Sequence, residues 1–262
     1  MKYNTTLPDD SVNFSSEHPL ALAFKLTISL LLFAALAYFL LGFIINYAVD
    51  TITPTQEKKL ESMLSIDMNL TQKDNPYLST IADKLSKCAH LPYDIKIHII
   101  DENQANAFAA PGGNIYVTQG MIKQVKNENE LAFIIGHEFG HFKNKDHLRT
   151  MGYKLVLSMF GMLIGNDFGM AANNILHLGD AKYSQKAELE ADEFGLDVMN
   201  CAYGSVTDAT KMFERMDDGD EWKYFMATHP GFSTRVSKMK EKILNDGMDT
   251  HKKAIPLGNI AL

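Results

Sequence analysis

The chain has 262 residues, of which 46% are apolar, and a formal net charge of −7. This length suits one domain of about 200 residues with appendages, and an acidic chain without a basic stripe is not expected to bind nucleic acid. Two cysteines, Cys88 and Cys201, are too few for a disulfide framework or a Cys-x-x-Cys metal site. We expect two buried thiols, or a single bridge if the domain faces an oxidising compartment.

An uncharged apolar stretch follows a polar tail of residues 1–25 and runs from Leu26 to Val49. As a helix it would be about 36 Å long, enough to cross a hydrocarbon core of about 30 Å. A cleaved signal peptide is shorter and ends in a small-x-small site, which is not evident here. We therefore predict one uncleaved membrane-spanning helix over residues 26–49, in contact with the lipid bilayer. Lysines on its two sides nearly balance, so the positive-inside rule only weakly favours an inside N-terminus and an outside domain.

The residues after this helix divide into a polar connector (50–74), a domain (75–245) and a polar C-terminal tail (246–262). Within the domain, Asp94–Ile100 alternates as a half-buried strand does. Residues 106–110, a Pro-Gly-Gly turn and residues 114–118 then predict strand, turn and strand. The pair is either an ordinary hairpin, or one arm is an exposed edge that pairs with an extended peptide.

The sequence Gly136-His137-Glu138-Phe139-Gly140-His141 contains His-Glu-x-x-His within an apolar, helical stretch. Residues i and i+4 of a helix lie on one face, so His137 and His141 can direct two imidazoles at one cation. Glu138 is placed to reach a water on that cation. Two imidazoles, a third protein ligand and an open fourth position are the requirements of catalytic zinc.

Several residues compete to be the third ligand. His147 follows His141 by six residues, but this spacing requires a sharp turn at Asn144, where a glycine would be more suitable. Glu188 and Asp192 share one helix face, so one carboxylate could bind the metal while the other holds a ligand imidazole. His177 is a weaker candidate. The residues alone leave the choice open.

The sequence resembles metallopeptidase family 48, which includes HtpX, BepA, Oma-type proteases and the CAAX prenyl proteases. Four ordered segments are similar to those of the family: Asn106-Ala107-Phe108-Ala109 with Pro111-Gly112-Gly113, Gly136–His141, Glu188–Asp192, and Thr228-His229-Pro230 with Arg235. The resemblance implies Glu188 as third ligand rather than His147. It also implies a substrate-binding strand formed by Asn106, Ala107, Phe108, Ala109, Gly112 and Gly113.

The resemblance further implies roles for three polar residues outside the zinc helix. His229 would be catalytic, either donating a hydrogen bond to the oxyanion or occupying the fourth zinc position at rest. Asp192 would support a ligand imidazole, and Arg235 would anchor that region. The chain departs from the family in having Gln185 where arginine is frequent. It also has one strong apolar span rather than several, because Leu155–Gly165 is too short to span.

These patterns and the resemblance together predict a mainly α fold with a small antiparallel β-sheet (α+β) behind one transmembrane helix. The resemblance implies that the domain is of the gluzincin type. The predicted function is a zinc endopeptidase with one Zn²⁺ per chain, single-pass in the inner membrane, with its domain outside the cytoplasm. Glu138 would be the general base, and pairing along the hairpin edge would suit unfolded polypeptide. The resemblance implies damaged membrane and envelope proteins as the substrates. Two alternatives are a zinc-binding chaperone with silenced protease activity, and an interaction protein in which the motif is accidental.

Overall fold

The computed structural model describes residues 18–64, 72–163, 183–216 and 220–260. Its helices cover Pro19–Thr51 (α1), Pro54–Leu64 (α2), Pro76–Ala89 (α3), Gln119–Gln124 (α4), Glu128–Lys143 (α5), Asp146–Leu163 (α6), Gln185–Tyr203 (α7), Lys211–Arg215 (α8), Asp220–Thr228 (α9) and Phe232–Asn245 (α10). Its strands cover Gln72–Asp74 (β1), Lys96–Ile100 (β2), Ala107–Ala110 (β3) and Asn114–Thr118 (β4). The chain divides into two compact units, Met1–Asn46 and Tyr47–Leu262.

Helix α1 contains the whole predicted span of residues 26–49. It has 33 residues, and its most apolar 18-residue window has a mean hydropathy of 2.6 with few buried side chains. A helix with apolar side chains exposed along most of its length is suited to lipid rather than to water. By length and composition, α1 is therefore able to cross a membrane.

The described strands form one four-stranded sheet in the order β1-β2-β4-β3. Strands β1 and β2 pair antiparallel, as do β3 and β4, but β2 and β4 are parallel. The α+β class is confirmed, whereas the prediction of a purely antiparallel sheet is wrong. After β2 the chain passes to the far edge of the sheet and forms β3. It then turns back into β4, which lies between β3 and β2, and therefore runs antiparallel to β3 and parallel to β2.

Helices α5 and α7 pack unusually close because small residues face each other at their contact. A Cβ on Gly140 would lie 2.5 Å from Ala191 Cα, and a Cβ on Gly195 would lie 2.9 Å from the backbone nitrogen of His137. No real side chain fits within such distances, so these glycines allow the two backbones to touch. This contact brings the His-Glu-x-x-His face of α5 against the acidic face of α7.

The main apolar core lies between α3, the sheet, α5 and α7, and includes the fully buried rings of Phe133, Phe139 and Phe142. The C-terminal segment, predicted from the sequence as a polar tail, also belongs to this unit. The backbone nitrogen of Glu128 donates to Ile255 O, and Leu257 packs on the core. The predicted connector contributes as well, because α2 and β1 form part of Tyr47–Leu262.

The two cysteines are joined by a disulfide that links α3 to α7. Cys88 is half-buried and Cys201 is exposed, so the prediction of two buried thiols is wrong. Their Cα atoms are 5.9 Å apart, within the usual range for a disulfide. Both residues lie at the margin of the contact between the helices, where a bridge reaches across without entering the core.

Candidate metal centre

The two histidines of the motif meet as the helical spacing predicts. Helix α5 begins after Asn127, whose side chain accepts a hydrogen bond from Glu130 N and so caps the helix. One turn separates His137 from His141, and their Nε2 atoms are 3.1 Å apart. The exposed fractions of the two side chains are 2% and 0%, so both imidazoles point into the interior of the domain.

Two residues from other elements bring further donor atoms to the same point. Glu188, in the first turn of α7, places its carboxylate oxygens 3.5 Å from His137 Nε2 and 3.6 Å from His141 Nε2. His229 follows α9, and its Nδ1 lies 3.4 Å from His137 Nε2 and 3.2 Å from Glu188 Oε1. One ligand atom from each of the four residues lies within 4.8 Å of every other. Such a set is able to hold a single metal ion.

Each motif histidine is oriented by a carboxylate on its far side. Asp192 lies 2.9 Å from His137 Nδ1, and Asp146, at the start of α6, lies 3.0 Å from His141 Nδ1. A proton on Nδ1 donated to the carboxylate leaves the Nε2 lone pair directed at the cluster. The sequence predicts the part played by Asp192 but not that of Asp146, which lies in a stretch that resembles an ordinary helix end.

Arg235 binds the acidic side of the cluster. Its guanidinium donates to both Asp192 oxygens at 2.7 Å and lies 2.6 Å from Glu188 Oε2. It also donates to the carbonyl of His229 at 3.2 Å. The side chain is only 1% exposed, so its charge is stable there because two carboxylates compensate it. Arg235 thus links α10, α7 and the loop that carries His229.

Burial and the neighbouring charges set the protonation of these groups. Burial lowers the pKa of His137 to about 4, because desolvation of the imidazolium outweighs the attraction of Asp192. Burial also raises the pKa of Glu138 above its usual range. Burial would raise the pKa of Glu188 too, but His229 and Arg235 outweigh it and hold that pKa well below its usual range. His137 is therefore neutral and Glu188 ionised, which are the forms that bind a cation. Burial would lower the pKa of His141, but Asp146 and Glu188 outweigh it and raise that pKa.

Three buried polar atoms beside the cluster have no hydrogen-bond partner in the described part of the chain: both carboxylate oxygens of Glu138 and the hydroxyl of Tyr183. The Tyr183 ring stacks on His141 with centroids 3.9 Å apart. A water molecule can donate to the unpaired carboxylate, and a water or a peptide carbonyl can accept from the unpaired hydroxyl. Tyr183 was not predicted as a site residue, although its position just before the Ser184 helix cap was a usable signal.

Strand β3, the predicted substrate strand, lies at the edge of the described sheet. The side chains of Ala107, Phe108, Ala109 and Ala110 are all buried, and the Ala107 carbonyl lies 3.3 Å from His229 Nε2. Asn106 precedes the strand, and its carbonyl accepts from Thr118 N. The structure therefore places the strand beside the metal cluster, with His229 between them.

The competing ligand candidates lie elsewhere. His147 Nε2 donates to Glu57 Oε1 at 2.8 Å, away from the four-residue cluster. His177 lies outside the described residues, and so do the last two residues of the apolar stretch Leu155–Gly165, whose earlier part continues α6.

The sequence model of peptidase family M48 matches residues 72–243. The chain belongs to peptidase family M48. This match covers β1 and every element that contributes to the cluster. The resemblance noted from the motifs is thereby confirmed, and the four converging donors fit the metal dependence that defines a metallopeptidase.

Three individual relatives share between 25% and 30% identity with this chain. The chain is similar to the mitochondrial metalloendopeptidase OMA1 of Schizosaccharomyces pombe, with 30% identity over 154 residues, 56% of this chain and 46% of the relative. It is 25% identical to metalloprotease LoiP of Escherichia coli over 65% of this chain and 71% of the relative. A putative beta-barrel assembly-enhancing protease of Vibrio cholerae is 25% identical over 64% of this chain and 39% of the relative. The chain thus spans less than half of the OMA1 relative.

Proposed function

We propose that the protein is a membrane-anchored zinc endopeptidase that hydrolyses unfolded polypeptides. The observation that carries this proposal is the convergence of His137, His141 and Glu188 beside the unpaired carboxylate of Glu138. Membership of peptidase family M48 and the metalloprotease names of the relatives support the same activity.

Zinc suits the donors at this site. Two imidazole nitrogens and one carboxylate, each motif histidine oriented by an outer carboxylate, are the donor set of catalytic zinc sites, and there is no cysteine among them. His137, His141 and Glu188 would hold one ion per chain. When bound there, Zn²⁺ supplies Lewis acidity that lowers the pKa of a coordinated water to about 7 and polarises a carbonyl.

Glu138 acts as the general base. Its carboxylate is fully buried and, apart from a weak interaction with the Ala109 backbone, has no hydrogen-bond donor within the described residues, so an entering water becomes its partner. A raised pKa brings its proton affinity closer to that of the water it must deprotonate. The same carboxyl then delivers that proton to the leaving amine, which returns the residue to its ionised form.

His229 has two roles, separated by substrate binding. At rest, its Nδ1 lies among the other three donors and its Nε2 lies 3.3 Å from the Ala107 carbonyl, so it occupies the position a substrate would need. With substrate bound, the imidazole is displaced from that carbonyl and donates to the developing oxyanion. Both interpretations drawn from the sequence are compatible with this arrangement.

The substrate lies extended along β3. The edge position of this strand in the described sheet, beside Glu138 and His229, supports main-chain pairing with a peptide. Main-chain pairing depends little on side-chain identity, so the proposed substrates are unfolded or damaged segments of membrane and envelope proteins. The substrate-binding residues are Asn106, Ala107, Phe108 and Ala109, with Gly112 and Gly113 in the following turn.

The domain is proposed to lie outside the cytoplasm, with α1 as a single pass through the inner membrane. The disulfide between Cys88 and Cys201 supports this orientation, because such bonds persist in oxidising compartments and are rare in the cytosol.

A Glu138→Gln variant tests the proposed activity. The amide cannot accept the proton from water, so we expect hydrolysis of unfolded casein to fall at least about a hundredfold while one zinc per chain is retained. The measurement is casein hydrolysis by the full chain in detergent, alongside metal analysis. Cleavage by the variant at the wild-type rate would refute the hydrolase mechanism.

A second candidate is a zinc-binding chaperone whose hydrolysis is silenced. The observation that favours it is the position of His229 Nδ1 among the metal-binding donors. A His229→Ala variant that remains as inactive as wild type while still suppressing casein aggregation would support the chaperone. Casein hydrolysis by wild-type protein that falls in this variant, which lacks the proposed oxyanion donor, would support the protease.

A further inference from the structure

Glu57 is a fully buried carboxylate that lies outside the metal centre. It lies in α2, eight residues after the end of the predicted span, and its side chain is 0% exposed. Its Oε1 accepts from Gly112 N at 3.1 Å and pairs with His147 Nε2 at 2.8 Å, and its Oε2 accepts from the Tyr93 hydroxyl at 2.9 Å. Burying a carboxylate costs free energy unless it is hydrogen-bonded. Because both oxygens of Glu57 are paired, we infer that this side chain has a structural role.

Glu61 lies one helical turn later and contacts the same part of the sheet. Its Oε1 accepts from Asn114 Nδ2 at 2.9 Å, and a Cβ on Gly112 would collide with its carboxylate. Residues i and i+4 share a helix face, so α2 presents two carboxylates to the turn between β3 and β4. We call Glu57 and Glu61 together the carboxylate clasp.

The turn that the clasp holds contains two consecutive glycines. Gly112 and Gly113 both have positive φ, at 87° and 91°, which glycine adopts readily but at the largest loss of backbone freedom on folding. This turn sets the register in which Ala110 pairs with Asn114. The hydrogen bond from Gly112 N to Glu57 is therefore placed to define where β3 ends.

Glu57 also holds the start of α6 through His147. The Nε2 proton must be donated to Glu57, which leaves the buried Nδ1 without a partner among the described residues. His147 adjoins Asp146, the residue that orients His141. One carboxylate therefore contacts both the substrate-strand turn and the segment next to the metal helix.

We propose that the carboxylate clasp positions β3 for substrate. This inference rests on the proposed function, in which β3 pairs with an extended peptide. Glu57 and Glu61 touch neither substrate nor metal; they act through Gly112 and Asn114, and are positioning residues. The segment that follows the membrane helix is thereby part of the substrate-binding apparatus rather than a spacer.

The test compares Glu57→Gln and Glu61→Gln with wild-type full chain in detergent. Since the clasp affects the strand that binds peptide and not the groups that react, we expect KM for an unfolded peptide to rise about tenfold in Glu57→Gln, with kcat within threefold. Glu61→Gln, whose side chain is only partly buried, should fold normally and raise KM less. The exposed Glu102→Gln makes the same chemical change as a control and should leave both constants unchanged.

Hydrogen exchange of residues 107–118 and metal content supply independent readouts. We expect the Gly112 amide to exchange at least tenfold faster in Glu57→Gln, while α5 exchange and zinc content stay at wild-type values. An unchanged KM, or unchanged Gly112 exchange, overturns the proposal. If wild-type protein hydrolyses nothing, the proposed function fails and exchange decides alone: faster exchange still supports the clasp, and unchanged exchange overturns it.

Discussion

At the scale of single residues, the Tyr183 hydroxyl is a candidate hydrogen-bond donor to the oxyanion that forms during hydrolysis. Its hydroxyl is buried, lacks a partner within the described chain and belongs to a ring stacked on His141. A donor left unpaired at rest is available when negative charge develops on the substrate oxygen. We therefore expect Tyr183→Phe to lower kcat about a hundredfold with little change in KM.

The matched control for this prediction is Tyr203→Phe. The Tyr203 hydroxyl donates to Glu128 at 2.9 Å, at the opposite end of α5 from His141. Steady-state kinetics of both variants on the same peptide decide the matter. Equal activity of Tyr183→Phe and wild type would show that this hydroxyl takes no part in the reaction.

Arg235 permits a prediction about stability. Its removal leaves Asp192 and Glu188 buried with uncompensated charge, so we expect Arg235→Ala to lower the free energy of unfolding by about 3–5 kcal/mol. The exposed Lys238→Ala, on the same helix, serves as the control. Denaturant unfolding of metal-free protein measures both. A loss of unfolding free energy in Arg235→Ala no larger than in the control would show that Arg235 does not compensate the charges of Asp192 and Glu188.

The candidate metal ligands His137 and His141 were the most predictable part of the site, because helical spacing alone puts them on one face. Glu188 remained one of several candidates until the family resemblance was considered. Asp146 and Tyr183 were missed since their roles depend on how α6 and the residues before α7 fold back over α5. No local pattern marks the contact of Asp146, and the signal for Tyr183 was its position just before the Ser184 helix cap.

At the scale of secondary-structure elements, Glu57 of α2 is expected to make the stability of the fold depend on pH. Burial would raise the pKa of Glu57, but the hydrogen bond and charge of His147, with Tyr93 and Gly112, outweigh it and lower that pKa. A carboxyl with a lowered folded-state pKa stabilises the fold above its unfolded pKa, and this contribution is lost as the pH falls through the folded value. The loss begins below about pH 4.5.

We therefore expect the stability of wild-type protein to decline more steeply below pH 4.5 than that of Glu57→Gln. Urea unfolding of both proteins in metal-free form, from pH 6 to pH 3, measures the difference without a contribution from metal loss. Parallel curves would mean that Glu57 is not held as a paired carboxylate.

The elements differ in how well local pattern predicted them. Alternation identified β2, and the Pro-Gly-Gly turn identified the β3–β4 hairpin. The parallel pairing of β2 with β4 was not predictable, because strand order depends on contacts distant in sequence. The close packing of α5 on α7 was similarly hidden, since a glycine such as Gly140 reveals a helix contact only once its neighbour Ala191 is known.

At the scale of the whole molecule, the disulfide between Cys88 and Cys201 allows a test of which side of the membrane the domain faces. If the domain lies outside the cytoplasm, alkylation of unfolded protein from intact cells should modify neither cysteine before reduction and both afterwards. The mass shift on a gel reports the result. Two alkylated thiols without prior reduction would place the domain in a reducing compartment.

The most direct test of the account is to locate the metal. A crystal of zinc-loaded protein should show one anomalous scattering peak per chain at the zinc absorption edge, within about 2.0–2.2 Å of His137 Nε2, His141 Nε2 and a Glu188 oxygen. A chain that takes up no zinc, or a peak bound by other residues, would contradict the account.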